Sequence, residues 1–317
     1  MSQTYMLRGS VSDPARNIQS PVWGSAHLGV THMAPLRTVV FVDGQNFRKN
    51  LQAFSFQAPG SPQRYKLDEK HFRWREFFAD VVAWFAKETS YEHRLVRAYW
   101  YNAYDMTPFQ RYPEAVRRAH AECSRHAPEI TQDQVIDLAQ QWHAKQHAWF
   151  YGSRRQMFEE IQRKTDFLEF KFVGQFRVEP FTVRHFVRNH DGTYDYQGTQ
   201  VGEKGVDVGI AVDMIAKMTN YDVAIIVSGD ADFVPAVCYL KDHLRGVYQF
   251  SVAKGVPPSI NYLSPWLKGI VDVFGYFDEL TLLSDYLDHG SGIPPAIINE
   301  VKGRIAQLQA PVSPTTT

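Results

Sequence analysis

Two apolar runs set the frame. Residues 38–42 read Thr-Val-Val-Phe-Val and stop on Asp43, while 223–227 read Val-Ala-Ile-Ile-Val and stop, after Ser228 and Gly229, on Asp230. Neither run alternates with polar residues. A strand of that kind must be covered on both faces, which is the condition of a parallel sheet flanked by helices. The intervening chain supplies the covering. Apolar residues at helical spacing predict helices over 72–89, 206–219, 233–244, 259–269 and 296–308, and further strands are predicted over 95–103, 246–253 and 270–280. Strands alternating with helices give βαβ units with right-handed crossovers, hence an α/β fold with a parallel sheet.

Other segments fit that frame less directly. Residues 1–35 hold Pro14, Pro21 and Pro35 with Ser and Gly and no periodicity, and are expected to form an extended leader. Residues 43–46 (Asp-Gly-Gln-Asn) read as a turn, and 57–66 as a polar connection. Residues 106–165 carry only helical patterns rich in Arg, Gln and His and are expected to be a helical insertion within a domain spanning 36–280; 167–186 is β-rich, and 190–204 reads as turn and loop, a candidate for closing a hairpin. A C-terminal helix and a Pro/Thr tail are expected to fill 281–317.

Composition excludes some classes. No run of eighteen apolar residues occurs that could span a bilayer, and no apolar h-region opens the chain, so no membrane partner is expected. Two cysteines, Cys123 and Cys238, are too few for a disulfide framework. A reducing cytoplasm is the expected compartment. The formal net charge is zero, so any contact with phosphates must be local instead of spread over the whole surface.

The ends of the apolar runs carry the chemistry. In open α/β sheets functional side chains gather beyond the carboxyl ends of the strands. Asp43 and Asp230 occupy two such ends, Asp232 follows at the start of a helix, and Asp207 opens the helix predicted from 206. Two carboxylates about 4 Å apart repel by about 4 kcal/mol at an effective dielectric near 20. A divalent cation removes that penalty, and an oxygen-only donor set without a His or Cys cluster favours Mg²⁺ or Mn²⁺ over Zn²⁺. Such a site suits in-line displacement at a phosphodiester.

The phrases Val42-Asp43-Gly44-Gln45-Asn46, Lys204-Gly205-Val206-Asp207-Val208 with Asp213, and Ser228-Gly229-Asp230-Ala231-Asp232-Phe233 occur in this order. Together they resemble the signature segments of the NYN family, in the LabA-like branch of the PIN-like nucleases. The resemblance covers roughly residues 36–105 and 166–280. It implies a Rossmann-like core, dependence on Mg²⁺ or Mn²⁺, RNA as the usual substrate, and Asp43, Asp207, Asp230 and Asp232 as catalytic metal ligands. Single-stranded RNA is the expected partner, with DNA a second candidate and homo-oligomerisation left open.

The remaining candidates are weighed against simpler roles. Asn46, Lys204 and Ser228 are candidate substrate contacts, with helix capping or plain solvent exposure as the alternatives. Asp213 lies six residues beyond Asp207, about 240° around a helix, and is set aside as structural. His143 and His147 are four apart but lack the glutamate of a zinc-protease helix, so a solvated polar face is expected. Arg117, Arg118, Arg125, Arg154, Arg155, Arg163 and Lys164, with Trp142, Trp149, Phe150 and Tyr151, are a candidate stacking surface for single-stranded RNA. Both cysteines are expected to be buried. The leading expectation is a metal-dependent endoribonuclease; the alternative is a non-catalytic RNA-binding or adaptor module on the same fold.

Overall fold

The structure, a computed structural model, describes residues 34–255 and 265–310. The leader up to residue 33, residues 259–264 of the helix expected over 259–269, and the tail from 311 lie outside the described residues.

The first half of the chain runs β1 (Leu36–Asp43), α1 (Gly44–Gln52), a hairpin of β2 (Ser55–Gln57) and β3 (Arg64–Lys66), α2 (Trp74–Thr89), β4 (His93–Asn102), β5 (Asp105–Met106), α3 (Pro113–Ser124), α4 (Gln132–Ala148) and α5 (Arg154–Arg163). It continues through β6 (Leu168–Phe172), β7 (Gln175–Glu179), β8 (His185–Arg188), β9 (Tyr194–Gln197), β10 (Thr199–Lys204) and α6 (Val206–Ala216). The chain then forms β11 (Val223–Val227), α7 (Val234–Asp242), β12 (Gly246–Val252), α8 (Pro265–Lys268), β13 (Val273–Phe277), α9 (Glu279–Thr281) and α10 (Pro295–Gln309). Among the described residues no helix is long and apolar enough to cross a membrane.

Six strands form one parallel sheet in the order β13-β12-β11-β1-β4-β6, which bears out the expected α/β class. The two faces of β1 divide by alternation. Val40 and Val42 join Ile225, Val227 and Phe250 under α1 and α2, whereas Val39 and Phe41 join Ala224, Ile226 and Val247 under α6 and α7. That is why neither run alternates in sequence. Each fully buried Val, Ile or Phe contributes roughly 1.5–3 kcal/mol of transfer free energy.

Four local expectations are corrected. The turn at 43–46 is instead the start of α1, hidden by its polar sequence GQNFRKNLQ, in which only Gly44, Phe47 and Leu51 are buried. The 57–66 connection contains the β2–β3 hairpin. The 190–204 stretch does close a hairpin, β9 pairing antiparallel with β8, but beyond the turn it is strand instead of loop, with β10 paired to β7. These strands are short and mostly solvent-facing, so they lack the apolar runs by which the central strands are read. The 106–165 segment is helical in α3 to α5, joined by a π-helical turn at Trp149–Ser153, but its core also draws on strands. Phe176, Val178, Phe186 and Tyr196 pack with Val116, Val135 and Phe150 in a second apolar cluster beside the main sheet.

Candidate metal centre

The chain leaves β1 in one direction, to β4 and β6, and later in the other, to β11, β12 and β13. Strand order therefore reverses between β1 and β11, and in open α/β sheets ligands bind beyond the carboxyl ends of the strands at such a point. Asp43 and Ser228–Asp232 stand on the two sides of that point.

Asp43 ends β1 and caps α1. Its Oδ1 accepts the Asn46 N–H at 3.0 Å and its Oδ2 accepts the Ser228 hydroxyl at 2.9 Å. Ser228 Oγ in turn accepts the Asp230 N–H at 3.1 Å, and Asn46 Oδ1 accepts the Gly229 N–H at 3.1 Å. Asp230 Oδ1 accepts the Asp232 N–H at 3.0 Å and caps the 3₁₀ turn Ala231–Phe233. From below, buried Gln249 on β12 donates to the Ser228 carbonyl at 2.9 Å. The loop after β11 is thus fixed to the end of β1, to α1 and to β12 through three hydrogen bonds. Gly44 permits the tight exit from β1, since a Cβ there would lie 2.3 Å from the Tyr101 carbonyl oxygen.

Asp207 arrives on a different element. Gly205 adopts the left-handed region (φ 78°), turning the chain from β10 into α6, and Asp207 lies in the first turn. One oxygen each from Asp207, Asp230 and Asp232 lie within 4.8 Å of one another. Ligand oxygens on opposite sides of one Mg²⁺ are separated by about 4.2 Å, so the spacing of these oxygens is of the order that one such ion requires. Among the described residues no other group of three potential ligands converges in this way.

Electrostatics records the crowding. Asp207 is held above the usual carboxylate range by burial and then by the charges of Asp230 and Asp232. Asp43 is pushed up to about 6, chiefly by burial, with Asp207 and Glu203 adding to the rise and the hydrogen bonds from Asn46 and Ser228 opposing it. Asp43 stands apart from the converging three: it is buried (4% exposed), with both oxygens engaged by Asn46 and Ser228.

The other expected site residues divide. Asn46 does not cap a helix; it bridges α1 to Gly229. Ser228 is buried and spends its hydroxyl on Asp43 and Asp230. Lys204 is exposed at the end of β10, two residues before α6 begins. Asp213 is not among the converging acids; it holds the Tyr101 hydroxyl at 2.8 Å and the Lys217 ammonium at 2.7 Å.

Glu203 is a site neighbour that the sequence reading missed. It is buried on β10, its Oε2 accepts the Ala103 N–H at 2.9 Å, and its Oε1 pairs with Arg154 of α5; the two side chains are 1% and 2% exposed. Arg154 also donates to Asn102 Oδ1 at 2.9 Å, and burial brings its guanidinium down to about 10. No local pattern marks the pair, because the partners lie 49 positions apart.

The insertion needs matching corrections. Arg154, Trp142 and Phe150 are buried, so they are no part of an exposed stacking surface. His143 is buried, its Nε2 2.8 Å from the Thr107 carbonyl oxygen, while His147 is exposed; the pair is not a solvated face. Cys123 is buried but Cys238 is exposed.

Comparison with known proteins adds a family. The family model of the NYN domain matches residues 37–262. No curated protein matches the chain. Among solved structures, a protein of unknown function from Vibrio parahaemolyticus is similar at 16% identity, over 78% of this chain and 96% of that one, with a TM-score of 0.38.

Proposed function

Because the chain belongs to the NYN domain family, whose members are as a rule PIN-like nucleases acting on nucleic acids, we propose that it is a divalent-metal-dependent endoribonuclease of the LabA-like branch. The observation that carries this reading is the convergence of Asp207, Asp230 and Asp232 at the reversal point of the sheet. These three residues would hold Mg²⁺ or Mn²⁺, the ions suited to an all-oxygen donor set. A bound ion supplies Lewis acidity and screens the charge that builds on a phosphodiester during in-line displacement.

The chain's own groups prepare the site. Asp43, buried and close in charge to Asp207, completes the negative field and, through Ser228, fixes where Asp230 stands. Asn46 fixes Gly229 in the same way. Exposed Lys204, beside the Gly205 turn, offers a point charge to a phosphate approaching α6.

The test is incubation of purified protein with labelled single-stranded RNA, duplex RNA and DNA, in Mg²⁺, Mn²⁺ or EDTA, alongside Asp207→Asn and Asp230→Asn. Cleavage of single-stranded RNA that needs the ion and both carboxylates is expected. Cleavage that survives EDTA or either substitution refutes the mechanism.

A further inference from the structure

Tyr104 is a large aromatic side chain left 61% exposed three residues beyond Tyr101, the residue that pairs with Asp43 in the sheet. It therefore stands on the carboxyl edge of β4, the same edge that carries the acids. Its N–H donates to the Gly174 carbonyl at 3.2 Å. Gly174 packs against the Lys204-Gly205 turn so closely that a Cβ on it would meet the Lys204 carbonyl oxygen at 2.3 Å. That turn leads directly into Asp207. The backbone of Tyr104 is thus tied through Gly174 to the turn from which Asp207 emerges.

The ring is braced from below. Arg155 of α5 donates to the Tyr104 carbonyl at 2.6 Å, and its guanidinium lies 5.8 Å from the Tyr104 ring centroid, 5.0 Å from that of Tyr151 and 5.5 Å from that of Phe172. With Arg155 against one face, the opposite face of Tyr104 is the open one. Tyr151 donates its hydroxyl to Asp105, which fixes its ring, and exposed His147 packs on Tyr151 with centroids 4.4 Å apart. A cation held among aromatic rings, with one ring face open beside a phosphate-chemistry site, is the usual composition of a platform for unpaired bases.

We propose that Tyr104, braced by Arg155 and continued by Tyr151 and His147, is the stacking platform that receives an unpaired base of single-stranded RNA next to the acidic group. The proposal rests on the nuclease reading for the identity of the ligand, but not on turnover. A duplex keeps its bases stacked on one another and has none to give to Tyr104, so the platform selects single strands.

Binding without cleavage tests it. A fluorescein-labelled single-stranded RNA is titrated with full-length protein in EDTA, where the affinity is read by anisotropy, for wild type, Tyr104→Ala, Tyr104→Phe and Tyr104→Trp. Tyr91→Ala serves as the control, because exposed Tyr91 precedes β4 on the opposite edge of the sheet. Tyr104→Ala is expected to weaken binding roughly 5- to 100-fold, the range for loss of one stacked base. Phe and Trp are expected to retain it, and Tyr91→Ala to leave it unchanged. Unaltered binding by Tyr104→Ala overturns the platform, even if the protein cleaves RNA normally. An equal loss on duplex RNA, or tighter binding of single-stranded DNA of the same sequence, overturns the assignment to single-stranded RNA. Loss of affinity in Tyr104→Ala by a protein that cleaves nothing upholds the platform and refutes the nuclease reading alone.

Discussion

The Ser228 hydroxyl donates to Asp43 Oδ2 at 2.9 Å, tying the end of β11 to the end of β1 across 185 positions of sequence. The same oxygen accepts the Asp230 N–H, so a single side chain sets the spacing between a buried acid and an acid of the converging group. Ser228→Ala leaves both partners without it. The expected cost is about 1–3 kcal/mol in urea denaturation. Ion affinity and RNA cleavage are expected to fall roughly 10- to 100-fold, as when an outer support of a metal ligand is removed.

Neutralising the converging group acts more directly. Asp207→Asn or Asp230→Asn is expected to lower cleavage by on the order of 10²–10³, the scale for losing one preorganised electrostatic group. Both variants should fold and should be at least as stable as wild type without metal, because each removes like-charge repulsion from Asp207 and its neighbours. Calorimetric titration with Mn²⁺, together with thermal melts in EDTA, separates the two effects. A metal-free variant that melts well below wild type contradicts the repulsion argument.

The metal-free protein should show an unusual pH dependence at Asp43. Its folded value of about 6 lies above the ordinary 3.8, so between those values the native state binds more protons than the unfolded chain. The stabilising contribution is complete below about 3.8, declines as pH rises, and is gone above about 6. The shift corresponds to something on the order of 3 kcal/mol. Ion pairs such as Arg37–Asp222 and Arg304–Glu279 work in the opposite direction as pH falls, since their acids sit below the usual range. The quantity to measure is therefore the difference between wild type and Asp43→Asn, by urea denaturation in EDTA from pH 4 to 7. Wild type should lose stability relative to the variant as pH rises, and Mg²⁺ should recover it at pH 7. A flat difference contradicts the burial of the Asp43 carboxyl.

The Arg154–Glu203 pair joins α5 to the strand that leads into Asp207. Arg154→Met strands a buried carboxylate, and a loss of about 3–5 kcal/mol is expected. Arg154→Met combined with Glu203→Gln should recover much of that loss. The double-mutant cycle in urea checks it; additive losses would mean that the two side chains do not act as a pair.

Much of this was legible where the signal was local. The runs 38–42 and 223–227 announced buried parallel strands because every residue in them faces one covered layer or the other, and the acids at their ends followed from that. Strand order was not legible, yet it is strand order that sets Asp43 beside Ser228. Helix α1 went unseen because its burial rests on little more than Phe47 and Leu51. Asp43 read as an equal partner of the other acids, since nothing in sequence distinguishes an oxygen of the converging group from one already held by Asn46 and Ser228. Arg154 read as part of an exposed RNA-stacking surface and Glu203 went unremarked, because their burial exists only once β10 and α5 meet. Tyr104 stood unremarked at the end of a strand, and only the fold shows what lies next to it.

The pairing of β1 with β11 also has a consequence in time. The first strand of the sheet is made early and its neighbour on one side 185 positions later, which at 5–20 residues per second is a delay of roughly 10–40 s during synthesis. Asp43 waits through that interval without Ser228, Asp230 or Asp232. A nascent chain that stops before β11 therefore has Asp43 and Asp207 without their later neighbours, and the converging acidic group cannot assemble until the turn that carries Asp230 and Asp232 has been made.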